Sequence, residues 1–176
     1  MEDVLDVIEE KIDVGATGIN IRAVGFGGWD KKIITRTDCD ADDISDIRDW
    51  LYTLNDMGGT PFDVGVEDAP DFFSTTEQRT NLLFFVSDGG PSPTSSATTA
   101  ATLIADMLDQ STSPYSTEEG TEVYCHAINI EYEDTTYSSM LDNTSDDGVP
   151  IVSGSDSGEF TDTVLDALDP ESSAPD

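Results

Sequence analysis

The chain has 176 residues, of which 7 are Lys or Arg and 38 are Asp or Glu, so its formal net charge is -31. That length fits one domain with a substantial core. So negative a field repels nucleic acid and anionic membranes and attracts cations, which excludes nucleic-acid binding. No apolar stretch reaches the length of a membrane span, and the first residues lack the basic and apolar regions of an export signal, so no membrane insertion is expected.

The acidity has a general explanation that involves no binding site. Carboxylates keep a protein soluble in a salty or calcium-rich medium, where their mutual repulsion is screened within about 3 Å at 1 M salt. Only a few of the 38 carboxylates are therefore expected to be site residues. This composition slightly favours a secreted or cell-surface protein, and it suits a high-salt cytoplasm nearly as well.

Apolar periodicity predicts helices and strands that alternate along the chain. Spacings of three and four predict helices at 2–13, 42–54, 62–73 (broken or kinked at Pro70), 97–108, near 135–141 and at 159–168. Apolar runs and alternation predict strands at 19–26, 31–37, 82–86, 122–130 and 149–152. The strand at 31–37 returns as a hairpin after a Gly-Gly-Trp-Asp turn, and Pro150 favours a sheet edge for the last strand.

This alternation predicts a doubly wound α/β fold. We expect a mostly parallel sheet with helices on both faces and one antiparallel edge strand. The domain is expected to span 1–169, followed by an acidic tail at 170–176. Cys39 and Cys125 fall in separate elements, so two free thiols are expected.

The segment 81–90 carries the strongest functional signal. Residues 82–86 are apolar throughout, as in a strand buried on both faces of a parallel sheet, and Ser87-Asp88-Gly89-Gly90 ends it. Asp88 is thus expected at the carboxyl end of a central strand, where open α/β sheets bind their ligands. A carboxylate there needs a positive partner, and a metal ion is the simplest one.

A second segment, Gly58-Gly59-Thr60-Pro61, lies between two predicted helices. The glycines permit a tight turn and a close approach to a ligand, and the Thr60 hydroxyl is a hard donor suited to Mg²⁺ or Ca²⁺. The same residues also fit a helix N-cap with Pro at the first helical position. Because Asp88 follows a buried strand, we favour the metal-binding interpretation.

Gly-Gly-Thr-Pro before a helix, followed by an apolar strand ending in Ser-Asp-Gly, resembles the von Willebrand factor type A domain, over nearly the whole chain. In that family a divalent metal lies at the top of the sheet, in the metal-ion-dependent adhesion site. An Asp-x-Ser-x-Ser loop, a Thr and an Asp supply its ligands. The resemblance implies that Thr60 and Asp88 are the metal ligands from the second and third of these segments, with Mg²⁺ or Ca²⁺ as cofactor. It also implies a non-enzymatic adhesion module of a larger protein, whose metal binds an acidic group of a partner protein.

The chain departs from the family at its start, where the first strand and the Asp-x-Ser-x-Ser loop should precede the first helix. The domain is therefore expected to be N-terminally incomplete, or to take its first strand from elsewhere. Two other segments, 109–113 and 153–157, have sequences similar to Asp-x-Ser-x-Ser. They are expected to be a loop at the end of a helix and a helix cap, respectively. Without that strand its neighbours lose a hydrogen-bonding partner, and metal affinity falls. The alternative function is therefore a structural or scaffolding domain of the same fold without a working metal site.

The other residues that could bind a metal or take part in catalysis indicate no second functional site. Asp38, Asp40 and Asp42 alternate as calcium-loop ligands do, but Asp43 stands where glycine is required, so an acidic helix start is expected. His126, the only histidine, has no Ser, Cys or metal cluster in evident register. No base is evidently placed to activate water, so a hydrolase is the least favoured hypothesis.

Overall fold

The computed structural model describes residues 2–28, 30–54, 58–73, 80–87, 90–108, 122–130 and 151–152. The helices in these ranges are α1 (Glu2–Asp13), α2 (Ala41–Leu51), α3 (Phe62–Val66), α4 (Ala69–Phe72) and α5 (Ser95–Leu108). The strands are β1 (Ile21–Gly27), β2 (Asp30–Arg36), β3 (Thr80–Ser87), β4 (Glu122–Ile130) and β5 (Ile151–Val152). The helices expected near 135–141 and at 159–168, the stretches 109–113 and 153–157 and the tail 170–176 lie outside the described residues.

The predicted elements in the described ranges are confirmed, with one correction. The helix expected at 62–73 is two short helices, α3 and α4. The break lies at Glu67 and Asp68, before Pro70, which stands in the first turn of α4. A proline there costs no helical hydrogen bond, so Pro70 starts a helix and does not kink one.

The strands form two sheets. β1 and β2 form a two-stranded antiparallel sheet, as the hairpin prediction required. β3, β4 and β5 form a parallel sheet in that order, with Thr80 of β3 opposite Glu122 and Ser87 opposite Asn129. The mixed α/β class is confirmed, whereas the single sheet expected from the sequence is divided in two among the described residues. β5 lies at an edge of its sheet, where the sequence placed it. The strand before Asp88 was expected to be central, but β3 lies at the other edge of this sheet among the described residues, because it pairs with β4 alone.

The described residues belong to two compact units, 2–25 with 32–54, and 26–31 with the described parts of 58–152. The first unit has a core between α1 and α2. Leu5 of α1 is buried there together with Cys39 and two residues of α2, Ile44 and Ile47. Fully burying a side chain such as Ile44 contributes about 1.5–3 kcal/mol. None of the helices in the described part of the chain is long and apolar enough to cross a membrane.

Ion pairs join the elements of the first unit at its surface. Arg48 of α2 lies 2.6 Å from Asp6 and 3.0 Å from Glu9, both on α1. The hydrogen bond to Glu9 raises the pKa of Arg48, and the bond to Asp6 adds to the shift. These side chains are partly exposed, so each pair contributes only about 0–1 kcal/mol.

The acidic run before α2 is a helix start, as predicted. Asp40 is the N-cap, and its Oδ1 accepts a hydrogen bond from the Asp43 amide at 3.0 Å. The Asp43 carboxylate in turn accepts from the Asp40 amide at 3.3 Å, which completes a capping box. The alternating acids therefore stabilise the first turn of a helix.

The two cysteines are free and buried, as predicted. Burial raises the pKa of the Cys39 thiol, and the nearby Asp43 carboxylate adds to the shift. The thiol therefore stays protonated at neutral pH, and it packs as a small apolar side chain.

The core of the second unit joins β3 to α3 and α5. Phe85 of β3 packs edge-on against Phe62 of α3, with ring centroids 4.9 Å apart, and stacks on Phe26 at 5.6 Å. A Cβ at Gly65 would lie 2.8 Å from the Phe26 ring, so a larger residue in α3 would displace that ring. The buried stripe of α5 completes the core, with Ala97, Ala100, Ile104 and Met107. This packing fixes α3 beside the end of β3.

We expect Asp40→Ala to lower the free energy of unfolding by about 1 kcal/mol, because the Asp43 amide loses its acceptor. Asp49→Ala, at an exposed position of the same helix, removes the same charge without removing a cap and is the matched control. Urea denaturation followed by circular dichroism measures both changes. Equal losses in the two variants would contradict the capping role.

We also expect the free energy of unfolding to rise between about 0.1 M and 1 M KCl, because the Debye length falls from about 10 Å to about 3 Å. Screening relieves the repulsion among 38 carboxylates more than it weakens the ion pairs of seven basic residues. Urea denaturation at the two salt concentrations measures the change. A lower stability at 1 M would mean that the ion pairs dominate.

Candidate functional site

Three loops of the second unit are joined by hydrogen bonds. The first loop, residues 58–61, is called the Thr60 loop. Its Gly59 carbonyl accepts a hydrogen bond from the amide of Gly28, which directly follows β1, at 3.3 Å. On its other side, the Thr60 hydroxyl donates to the Gly90 carbonyl, three residues beyond the end of β3. The Ser92 amide donates back to the Thr60 carbonyl at 3.0 Å. The Thr60 loop is therefore held next to the segment that follows β3.

The glycines make this loop possible. Gly58 and Gly59 have φ values of 62° and 59°, in the left-handed region that costs other residues about 1–2 kcal/mol. A Cβ built on Gly59 would lie 3.5 Å from the Gly28 backbone, so the two loops approach each other closely. The glycines therefore form the tight turn that the sequence indicated, and they also set the spacing between the two loops.

The N-cap interpretation of the Thr60 loop is wrong in its details. Pro61, not Thr60, is the N-cap of α3, and no side chain of the loop caps the helix. The amide of Phe62, the first residue of α3, instead donates to Ser96 Oγ of α5 at 3.2 Å. The Thr60 hydroxyl is thus used outside the helix, against Gly90.

Thr60 remains able to bind a cation in this position. Its hydroxyl proton is directed at the Gly90 carbonyl, and a hydroxyl oxygen that donates one bond keeps its lone pairs. The side chain is half-buried and offers a hard oxygen donor. The donor chemistry therefore fits Mg²⁺ or Ca²⁺.

Asp88, the other predicted ligand, lies outside the described residues. It falls between Ser87, the last residue of β3, and Gly90, which accepts the bond from Thr60. Within the described ranges, no group of three or more His, Cys, Asp or Glu side chains could hold a metal ion. The assignment of Thr60 and Asp88 as joint ligands stays a prediction.

In the described part of the second unit, acidic residues outnumber Lys and Arg. Lys31 is the one Lys or Arg among the described residues of the second unit. It lies 2.5 Å from Asp68 and 2.6 Å from Glu67, and these hydrogen bonds, the one to Asp68 first, raise its pKa. The one described cation of this unit is therefore already paired with two carboxylates.

The hydrogen bond that Ser96 accepts from Phe62 is not predicted from the sequence. Ser96 lies in the Ser/Thr-rich stretch 92–99, which reads at first as a linker. A signal was present, because Ser96 stands four residues before Ala100 on the buried stripe of α5. A serine on such a stripe needs a hydrogen-bond partner.

In comparisons with known proteins, no family model, no curated protein and no solved structure matches this chain.

We expect Thr60→Val to lower the free energy of unfolding by about 1 kcal/mol, because the Gly90 carbonyl loses its donor while the side chain keeps its shape. Thr60→Ser retains the hydroxyl and is expected to cost less. Thr99→Val is the matched control, since its exposed hydroxyl bonds only within α5, to the Ser95 carbonyl. A larger loss in Thr60→Ser than in Thr60→Val, measured by urea denaturation, would contradict a role for the hydroxyl.

Proposed function

We propose that the chain is a non-enzymatic, metal-dependent protein-binding module. Mg²⁺ or Ca²⁺, held by Thr60 and Asp88 among other ligands, binds an acidic group of a partner protein. The observation that carries the proposal is the hydrogen bond from the Thr60 hydroxyl to the Gly90 carbonyl. It joins two segments that are thirty residues apart in sequence, and the second begins two residues after Asp88.

The fold supports the same proposal. The order of helices and strands, the hairpin and the parallel pairing of β3 with β4 are compatible with a von Willebrand factor type A domain. We propose the doubly wound arrangement of that family, with helices on both faces of the sheet. In such a sheet the carboxyl end of β3 is a ligand-binding edge.

Electrostatics explains why partner binding would depend on a metal. The described part of the second unit contains one Lys or Arg, and it is already paired. An acidic group of a partner would therefore be repelled unless a bound cation reverses the local charge. A carboxylate of the partner can then complete the coordination sphere.

A scaffolding domain of the same fold is the second candidate. Among the described residues the strands lie in two sheets, and no group of three or more His, Cys, Asp or Glu side chains could hold a metal ion. A domain with these features would keep its folded shape and bind no metal.

Calorimetric titration with Mg²⁺ and Ca²⁺ separates the two functions. We expect one saturable site in about 1 M KCl, where diffuse binding to the acidic surface is screened. Asp88→Ala is expected to weaken that site by about tenfold or more, because a hard cation loses a charged ligand. Asp106→Ala, on an exposed position of α5, removes the same charge and should leave the site unchanged.

Two outcomes would contradict the proposal in different ways. Saturable binding that survives Asp88→Ala would place the metal elsewhere. If titration of the unmodified protein with either metal gives only the heat of dilution, the scaffolding domain would be favoured.

A further inference from the structure

Segments 60–62 and 90–96 are joined at three points. The Thr60 hydroxyl donates to the Gly90 carbonyl, and the Ser92 amide donates to the Thr60 carbonyl. The third contact is the bond from the Phe62 amide to Ser96 Oγ. The first two contacts lie between loops, whereas the third involves a side chain fixed in a fourteen-residue helix.

Ser96 is well placed to anchor this contact. Only 2% of its surface is exposed, and it lies beside Ala97 on the buried face of α5. Its own amide donates to the Pro93 carbonyl at 2.9 Å, so the backbone at the start of the helix is also fixed. Phe62, which donates to it, is 1% exposed and packs on Phe85. Water therefore cannot readily replace the serine hydroxyl as acceptor.

The start of α3 is held by few contacts. α3 has five residues, too few to be stable as an isolated helix. Its N-cap is a proline that makes no side-chain hydrogen bond to the helix. The position of Phe62, and hence of Thr60 two residues earlier, is thus set by packing on β3 and by the bond to Ser96.

We propose that Ser96 is the positioning residue of the Thr60 loop. Its hydroxyl fixes the start of α3 to α5, and in this way keeps Thr60 against Gly90 and Ser92. The effect on cation affinity rests on the proposed function, whereas the mechanical coupling of the loops does not. Loss of the hydroxyl loosens all three contacts together, although Ser96 itself would touch no ligand.

Amide hydrogen exchange tests the coupling without any metal. In Ser96→Ala we expect the amides of Phe62, Ser92 and Gly28 to exchange about tenfold faster, the equivalent of one lost hydrogen bond. Ser96→Thr restores a hydroxyl and should return the rates of Ser92 and Gly28 toward the original ones. Ser95→Ala, one residue earlier and exposed, is the matched control and should change none of the three. If Ser96→Ala does not fold, Ser96→Cys keeps the size with a weaker acceptor and should give the same pattern at lower amplitude.

Faster exchange at Phe62 alone, with Ser92 and Gly28 unchanged, would overturn the proposal. So would a uniform rise across the β3 and β4 amides, because it would report a global loss of stability. Mg²⁺ titration of the same variants adds the functional readout, with a several-fold weaker site expected in Ser96→Ala and recovery in Ser96→Thr. If the unmodified protein binds neither Mg²⁺ nor Ca²⁺, the proposed function fails and hydrogen exchange still decides the role of Ser96.

Discussion

The hydrogen bond between the Thr60 hydroxyl and the Gly90 carbonyl is the contact on which this account depends. It brings a loop between two helices close to the end of β3, next to Asp88 in the sequence. Left-handed glycines on one side and the Ser96 hydroxyl on the other determine where Thr60 can lie. The position of the Thr60 loop is therefore set mainly by backbone conformation and by hydrogen bonds between loops. In the proposed site, Thr60 and Asp88 would supply two of the oxygen ligands of a hard cation.

Charge and geometry have separate roles in this molecule. Asp40, one of the acids that alternate as calcium-loop ligands do, instead caps α2. Asp43, in the first turn of that helix, pairs with Arg36, whose guanidinium lies 3.2 Å away. Arg48 and Lys31 are likewise each held by two carboxylates. These three basic residues thus join neighbouring elements, and the 7 Lys and Arg residues of the chain are far outnumbered by its 38 acids. Because the chain carries so many carboxylates, charge alone cannot make one position bind a cation specifically. Only the geometry of the ligands would distinguish such a site from other acidic positions.

The sequence predicted the helices and strands well, because the apolar residues that each element buries recur at regular spacings. The apolar spacing of Leu5 and Ile8 on α1 gave the bounds of that helix, and alternation gave those of β4. The end of α2 was predicted three residues too late, because the Thr53 hydroxyl and amide both bond to the Trp50 carbonyl and end the helix in a tight turn. Local hydrogen bonding of this kind overrides periodicity at element ends.

The candidate site was only partly predictable from the sequence. Gly-Gly-Thr-Pro and the strand ending at Ser87 were visible, because glycine and proline mark turns and apolar runs mark buried strands. The contacts that join them were not visible, since Ser96 is 34 residues from Phe62 and no local pattern connects the two. The division into two sheets also depends on long-range pairing, which periodicity does not encode.

Mn²⁺ in place of Mg²⁺ tests the central claim most directly, because both favour oxygen ligands and Mn²⁺ broadens nearby amide signals. In about 1 M KCl, we expect substoichiometric Mn²⁺ to broaden the amides of Gly28, Gly59 and Ser92 first. The amide of Asp106, roughly 17 Å along α5 from its first residue, should persist. Broadening at Asp106 equal to that at Ser92 would mean that cations bind the acidic surface without selection, and it would contradict a site at the Thr60 loop.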